Sequence, residues 1–538
     1  MDLLPSAHVD TFCRDHLPPA EQWPELRFDL PELAYPARLN CATALLDDVI
    51  ARFGGDHGGD RPCLHAPGAD TWSYDDLLAT SNRIAHALVE DLGIVPGNRV
   101  LLRGPNNQWL TACWFGVLKA GAVAVTTMPL LRPGELATIH EIARLDLALV
   151  DERFLPGTEG LSGDLGVRVV PFGGATGLPA LAADKPPAYD DVATSSDDVA
   201  LLAFTSGTTG RPKATMHFHR DVLAICDTFA RHVLRPSSDD VFTGTPPYAF
   251  TFGLGGVLLF PLHAGASTVL VEKATPPELA RIIDEFGVTT CFTAPTAYKA
   301  MLAAGATLPS LKAAVSAGEH LPAATWEAFR EATGVRIIDG IGATEMLHIF
   351  ISAAGDDIRP GSTGRAVPGY TATVLDEHGD EVAPGEPGRL AVKGPTGCRY
   401  LSDPRQKAYV RDGWNITGDT FSRDEDGYFW YHARSDDMII SAGYNIAAPE
   451  VEEALLKHPE VTECAVVGVP DEARGSVVKA YVVLTDGVPA SDDRVRELQD
   501  FVKAEIAPYK YPRALEFVDD LPRTATGKLQ RFRLRQDA

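Results

Sequence analysis

Two periodicities trade places along the first three hundred residues. Apolar positions recurring every three to four residues predict helices over 40–51 (with Leu45, Leu46, Val49 and Ile50 on one side), 74–91, 107–120 and 134–143. Between them, short apolar runs at 99–103, 122–126 and 147–150 read as strands. The rhythm resumes with a strand at 199–204, a helix at 221–233, a strand at 240–244 and a helix at 253–262. A strand at 267–271, a helix at 276–286 and strands at 289–293 and 313–317 follow. Strands that are apolar throughout, spaced by helices, imply parallel sheets covered on both faces. Residues 1 to about 40, rich in proline and acids, are expected to wrap the surface, and the Gly/Pro/Asp-rich stretch 155–195 to act as a connector.

The pattern shifts over 362–394 to short strands (Val374 and Leu375; 389–393) broken by Pro-Gly and His-Gly turns, a small antiparallel or barrel-like unit. A boundary is expected near 434–437. Past it, a helix at 449–457, strands at 464–468 and 477–484, a helix at 492–506 and a strand at 514–518 describe a small α+β unit. The fold expected is α/β: a large N-terminal domain, residues 1–434, of two helix-covered sheets plus the barrel-like β unit, then a small α+β C-terminal domain, residues 435–538.

Composition narrows the function classes. The 538 residues exceed what one hydrophobic core usually organises, and 45% hydrophobic with 22% charged residues is ordinary for a globular enzyme. A formal net charge of −25 without a basic run argues against nucleic acid and against an anionic membrane surface. An anionic substrate has to be held by local cations against an unfavourable mean field. The eight cysteines are scattered, with no Cys-x-x-Cys, and read as reduced core thiols. No apolar run reaches the length of a membrane span and no export signal is visible, so a cytoplasmic location is expected.

The strand at 199–204 opens into Thr205-Ser206-Gly207-Thr208-Thr209-Gly210-Arg211-Pro212-Lys213. Glycines admit close backbone approach, hydroxyls donate to phosphate oxygens, and Arg211 and Lys213 offset negative charge. The stretch therefore reads as a triphosphate loop, with an exposed Ser/Thr/Gly loop as the plainer alternative. It is not the common P-loop, because Gly207 and Gly210 stand too close and Arg-Pro precedes the lysine. A second lysine loop, Pro522-Arg-Thr-Ala-Thr-Gly527-Lys528, lies more than 300 residues further on.

Five motifs fall in order: the loop at 205–213, Gly340-Ile-Gly-Ala-Thr-Glu345, Thr417-Gly-Asp419, Arg434-Ser-Asp436-Asp437 and the loop at 522–528. Their order and spacing resemble the acyl-adenylate-forming superfamily, which includes acyl-CoA and aryl-CoA ligases, amino-acid adenylation domains and luciferases. Ala7-His-Val-Asp10, Tyr35-Pro-Ala-Arg-Leu-Asn40, the stretch 97–106 and Met346-Leu-His-Ile-Phe350 further resemble the benzoate and 2-aminobenzoate CoA ligases.

The resemblance implies ATP and CoA as substrates, Mg²⁺ as the metal, and an aromatic acid activated as its acyl-AMP. It implies a nucleotide site of Thr205, Ser206, Gly207, Thr208, Thr209, Gly210, Lys213, Gly318, Glu319, Asp339, Gly340, Ile341, Thr344, Asp419, Arg434 and Lys528. Glu345 is the expected Mg²⁺ carboxylate, since hard oxygen ligands suit that ion. Asp419 would accept the ribose hydroxyls and Arg434 would add a ribose or phosphate contact. Lys528 would bridge the carboxylate and the α-phosphate, where charge gathers in the transition state. Thr344, Glu345, Arg434 and Lys528 form the expected catalytic set.

By the same resemblance, the C-terminal domain is a mobile lid that turns about a hinge at Asp436. In its other pose it presents Gly443 to the pantetheine arm of CoA beside Phe250. The acid pocket is expected from Tyr248, Phe250, Thr251, Ala317, Gly342 and His348. Thr251, where amino-acid adenylation domains carry an Asp, argues against an α-amino acid. His348 is placed to meet a ring substituent at the 2-position, against a plain core histidine. The alternatives weighed are transfer to a carrier protein or small nucleophile, a medium-chain acyl-CoA ligase and a non-catalytic ATP-binding regulator; a homodimer is the assembly considered.

Overall fold

Parallel strands need long right-handed crossovers, and the helices that provide them decide which strand faces are buried. In the computed structural model, five parallel strands form the first sheet, in the order Arg168–Phe172, Leu147–Asp151, Arg99–Arg103, Val123–Thr127 and Val199–Thr205. A sixth, Lys213–Phe218, closes it antiparallel to Val199–Thr205. The model describes residues 3–53, 58–205, 212–434, 438–441, 444–471, 475–506, 510–523 and 529–536.

The second sheet has nine strands. Its centre is parallel, running Ile337–Gly342, Ala313–Ser316, Thr290–Thr293, Val241–Gly244, Ser267–Val269 and Pro62–His65. Local chemistry starts its helices: Thr275 and Glu278 form a capping box before Pro276–Phe286, and the Asn107 side chain caps Gln108–Lys119. One continuous core, from Cys41 to Phe429, packs the faces of the two sheets and the antiparallel unit together.

That antiparallel unit is the expected barrel-like element. Thr371–Leu375, Gly388–Lys393, Trp414–Arg423, Val410–Arg411 and Phe429–Arg434 form one sheet. Beyond it, Val461–Asp471, Gly475–Leu484 and Ala514–Phe517 carry Ala448–Leu456 and Asp492–Glu505. The hydrophobic clusters of this last unit draw only on residues 439–534.

Three expectations need correction. The stretch 155–195 is more than a connector: Arg168–Phe172 is the edge strand of the first sheet and Leu178–Ala182 is a helix. The helix expected over 40–51 breaks at Leu46 into Cys41–Leu45 and Asp47–Arg52. No strand was expected between the phosphate-loop motif and the helix that follows, yet Lys213–Phe218 lies there, antiparallel to Val199–Thr205. The cysteines are free thiols, seven of them buried.

Candidate active site

Ligands of open α/β sheets gather at the carboxyl ends of the parallel strands. Here four such ends lie side by side, and the sequence motifs sit on two of them. Ala313–Ser316 runs into Ala317, Gly318 and Glu319, with Gly318 turning the chain at a φ of +88°, a conformation suited to glycine. Ile337–Gly342 carries Asp339, Gly340 and Ile341, and the 3₁₀ turn Thr344–Met346 follows it directly.

The chemistry at Asp339 is unfinished without a ligand. Among the described residues its Oδ1 makes no well-formed hydrogen bond, the hydroxyl of Ser316, its cross-strand neighbour, being near enough only to offset part of the cost of burial. Desolvation pushes this carboxyl up to about 7. An acceptor of this kind at a strand end suits an exocyclic amine, as adenine has.

Lys213 opens the closing strand of the first sheet and meets Glu345 across the gap between the sheets. Its Nζ stands 3.4 Å from Glu345 Oε1 and donates to Tyr400 Oη at 2.6 Å, while the phenol donates to the same Glu345 oxygen. Glu345 and Tyr400 are buried. Burial and the Glu345 charge push the Tyr400 phenol well up, so it remains a donor.

A second layer supports this cluster. His217 Nε2 donates to the carbonyl of Thr344 at 2.8 Å, and Arg399, wholly buried, pairs with the wholly buried Asp221 behind it. The Thr396 hydroxyl donates to the Met346 carbonyl at 2.8 Å, pinning the turn from the side of the antiparallel sheet. Tyr400, His217, Arg399 and Asp221 were not marked as site residues by motif reading. The alternation of Met216, His217, Phe218 and His219 was the available signal for Lys213–Phe218.

The ribose candidates are also brought together. Asp419, buried, lies directly across from Arg434 in the strand pair Trp414–Arg423 and Phe429–Arg434; of Arg434 only the backbone is described. Thr205 ends its strand opposite Lys213. Ser206, Gly207, Thr208, Thr209, Gly210, Asp436, Gly443 and Lys528 lie outside the described residues.

The acid-pocket candidates divide. Phe250 remains 37% exposed, and Thr251 begins the helix Thr251–Gly253. Tyr248 is a core residue, its hydroxyl 3.4 Å from Thr111 Oγ1. Ala317 is buried and Gly342 is exposed. His348 is buried among Phe229, Phe252, Phe260 and Phe292, with ring centroids at 5.4, 5.8, 4.6 and 6.4 Å. The Phe252 backbone lies close enough to the ring to oppose the shift slightly, no well-formed hydrogen bond to either nitrogen is made among the described residues, and burial lowers the pKa to about 3, so the imidazole is neutral. Gly255 permits this seat, since a Cβ there would stand 2.3 Å from His348 Cδ2.

The C-terminal unit meets the site at Glu319 and His320. Glu319 lies 4.0 Å from Arg523, and its neighbour His320 lies 3.5 Å from Glu453 while stacking on Tyr431 at 5.7 Å. Arg523 and Leu529 form an antiparallel bridge.

A family model described as AMP-binding enzyme matches residues 52–400, and one described as AMP-binding enzyme C-terminal domain matches residues 450–528. The chain belongs to the AMP-binding enzyme family. This member is 36% identical over 519 residues to the benzoate–CoA ligase of Thauera aromatica, covering 94% of this chain and 97% of that one. It is 34% identical to the 3-hydroxybenzoate–CoA ligase of Aromatoleum sp. (strain CIB), over 89% and 93% of the two chains. The crystal structure of the anthranilate CoA ligase AuaEII in complex with anthranoyl-AMP matches with a TM-score of 0.88 at 35% identity, covering 95% of this chain and 99% of that one. The first AMP-binding match ends on Tyr400, the phenol between Lys213 and Glu345, and the second on Lys528.

Proposed function

We propose that this AMP-binding enzyme is an ATP-dependent aryl-acid ligase: it activates an aromatic carboxylic acid as acyl-AMP and passes the acyl group to CoA. A carboxylate oxygen attacks the α-phosphorus, and the bond to pyrophosphate breaks. The CoA thiol then attacks the acyl carbonyl, loses its proton and expels AMP. Residues 1–434 are the nucleotide- and acid-binding domain and residues 435–538 the lid.

Each side chain has a role in this reading. Asp339 accepts from the adenine amine, with Gly318, Glu319, Gly340 and Ile341 walling the base. Asp419 and Arg434 hold the ribose. Thr205, the loop 206–210, Lys213 and Thr344 hold the phosphates, and Lys528 steadies the charge that develops at the α-phosphate. The donor set fits Mg²⁺, because a hard carboxylate oxygen of Glu345 faces the phosphate lysine. Glu345 would hold the ion, which would supply positive charge to offset that of the phosphates.

His348 is the observation that carries the aryl assignment. A neutral imidazole enclosed by four phenylalanines, with no more than a weak backbone contact to Phe252, is costly to keep dry unless a ligand completes it. A ring-bound amino or hydroxyl group next to the carboxylate can exchange a hydrogen bond with it, so 2-aminobenzoate and 2-hydroxybenzoate are the favoured acids, with benzoate behind. Phe250, Thr251, Ala317, Gly342 and Tyr248 complete the acid side, and Phe250 with Gly443 lines the thiol's approach. Pyrophosphate release across a panel of substituted benzoates and medium-chain acids, with and without CoA, tests the reading. The 2-substituted benzoates should give the highest kcat/KM and product should form only with CoA; preference for a straight-chain acid, or CoA-independent turnover, would overturn it.

A further inference from the structure

Tyr400 belongs to neither of the elements that carry its two charged neighbours. Its chain segment is laid along Lys213–Phe218: Met216 N donates to Arg399 O at 2.8 Å and Leu401 N to Ala214 O at 2.9 Å, with Thr215 and Tyr400 bridged between them. The buried Gln406 fixes it from the other side, accepting from Tyr400 N at 2.9 Å and donating to Cys398 O at 3.1 Å. The ring therefore has little freedom, and Tyr409 packs edge-on against it at 5.8 Å.

That fixed ring ends between an ammonium group and a carboxylate. Lys213 Nζ donates to the phenol oxygen at 2.6 Å, and the single phenol proton goes to Glu345 Oε1. The Lys213–Glu345 separation is 3.4 Å, longer than a charge-assisted hydrogen bond of about 2.7–2.9 Å. Without the hydroxyl, no contact among the described residues holds these opposite charges at that distance, and they can close onto each other in a buried setting. A closed pair would neutralise both groups that the Mg²⁺-bound triphosphate requires.

We propose that Tyr400 is a positioning residue that holds Glu345 and Lys213 apart and oriented for the metal–triphosphate, so that ATP entry exchanges Lys213 from the phenol to phosphate while Glu345 keeps its phenol hydrogen bond. The inference rests on the ligase reading above. It adds a third residue, from a third element, to the two that motif reading marks.

The test compares ATP binding to the full-length wild type and Y400F by calorimetry, once with Mg²⁺ and once with EDTA. The substitution removes one oxygen and leaves the ring in place; its thermal midpoint is read alongside. In the wild type Mg²⁺ should strengthen ATP binding. In Y400F that strengthening should shrink about tenfold, the loss of one hydrogen bond to a charged group, while binding in EDTA, which loses only the Lys213 part, falls by a smaller factor. Thioester formation from preformed acyl-AMP and CoA should be unchanged. An Mg²⁺ effect in Y400F equal to the wild type's, or equal losses with Mg²⁺, with EDTA and in the thioester step, would overturn the assignment. A wild type that binds no ATP would instead overturn the ligase reading itself.

Discussion

Asp339 couples nucleotide binding to pH. Its carboxyl is raised to about 7, so below that pH it is protonated and above it ionised. The adenine amine needs an acceptor, which the ionised form provides best. KM for ATP should therefore fall as pH rises from 6 to 8, and Asp339→Asn, whose amide oxygen accepts at any pH, should flatten the profile; a wild-type KM flat across that range would count against the contact. His348 acts at the other end of the site and stays neutral throughout that range. His348→Phe should lower kcat/KM for 2-aminobenzoate about tenfold relative to benzoate, the worth of one hydrogen bond at a buried site, measured by competing the two acids. Equal loss on both acids would make His348 a packing residue only.

At the scale of elements, the antiparallel strand Lys213–Phe218 organises the site. It delivers Lys213 to the cleft, His217 to the Thr344 carbonyl and a ladder for residues 399–401. Its far end is anchored by the buried Arg399–Asp221 pair, and Asp221 also accepts from Phe218 N at 3.0 Å. Arg399→Leu leaves the buried Asp221 without its guanidinium partner, with only His217 at 3.8 Å and the Phe218 N–H in direct contact among the described residues, so urea unfolding should show a loss of about 3 kcal/mol. This strand also marks the limit of what the sequence discloses. The helices and parallel strands from 74 to 293 were legible because their apolar periods are long and capped, as at Asn107 and Thr275. Lys213–Phe218 mixes histidines into its alternation because it feeds a polar site, and its propensity signal is weak for that reason. Arg168–Phe172 and Pro62–His65 were missed for other causes: the first is short and sits in a Gly/Pro-rich stretch, and the second is short and joins its sheet through the distant Ser267–Val269. The motif residues Glu345, Asp339 and Asp419 were readable from spacing, whereas Tyr400 is placed by tertiary pairing that no local pattern encodes.

For the whole molecule, two sheets flank the site and, in the reading proposed, the small C-terminal unit is its cover. That unit has its own hydrophobic clusters, and its described links to the larger domain include charged and polar contacts: Glu319 with Arg523, His320 with Glu453, and Lys299 Nζ with the Thr462 carbonyl at 3.3 Å. Surface pairs of this kind contribute about 0–1 kcal/mol each, which suits a cover that docks and leaves rather than one fused in place. No described helix is long and apolar enough to cross a membrane. The central claim is that residue 528, arriving on this cover, serves acyl-AMP formation and not the transfer that follows. The most direct measurement is Lys528→Ala assayed in the two half-reactions separately. Acid-dependent pyrophosphate exchange should fall about 10²–10³-fold, as for loss of one oriented charge at a developing oxyanion, while CoA thioester formation from supplied acyl-AMP stays near the wild-type rate. Equal loss in both half-reactions, or full exchange activity in the variant, would contradict the account.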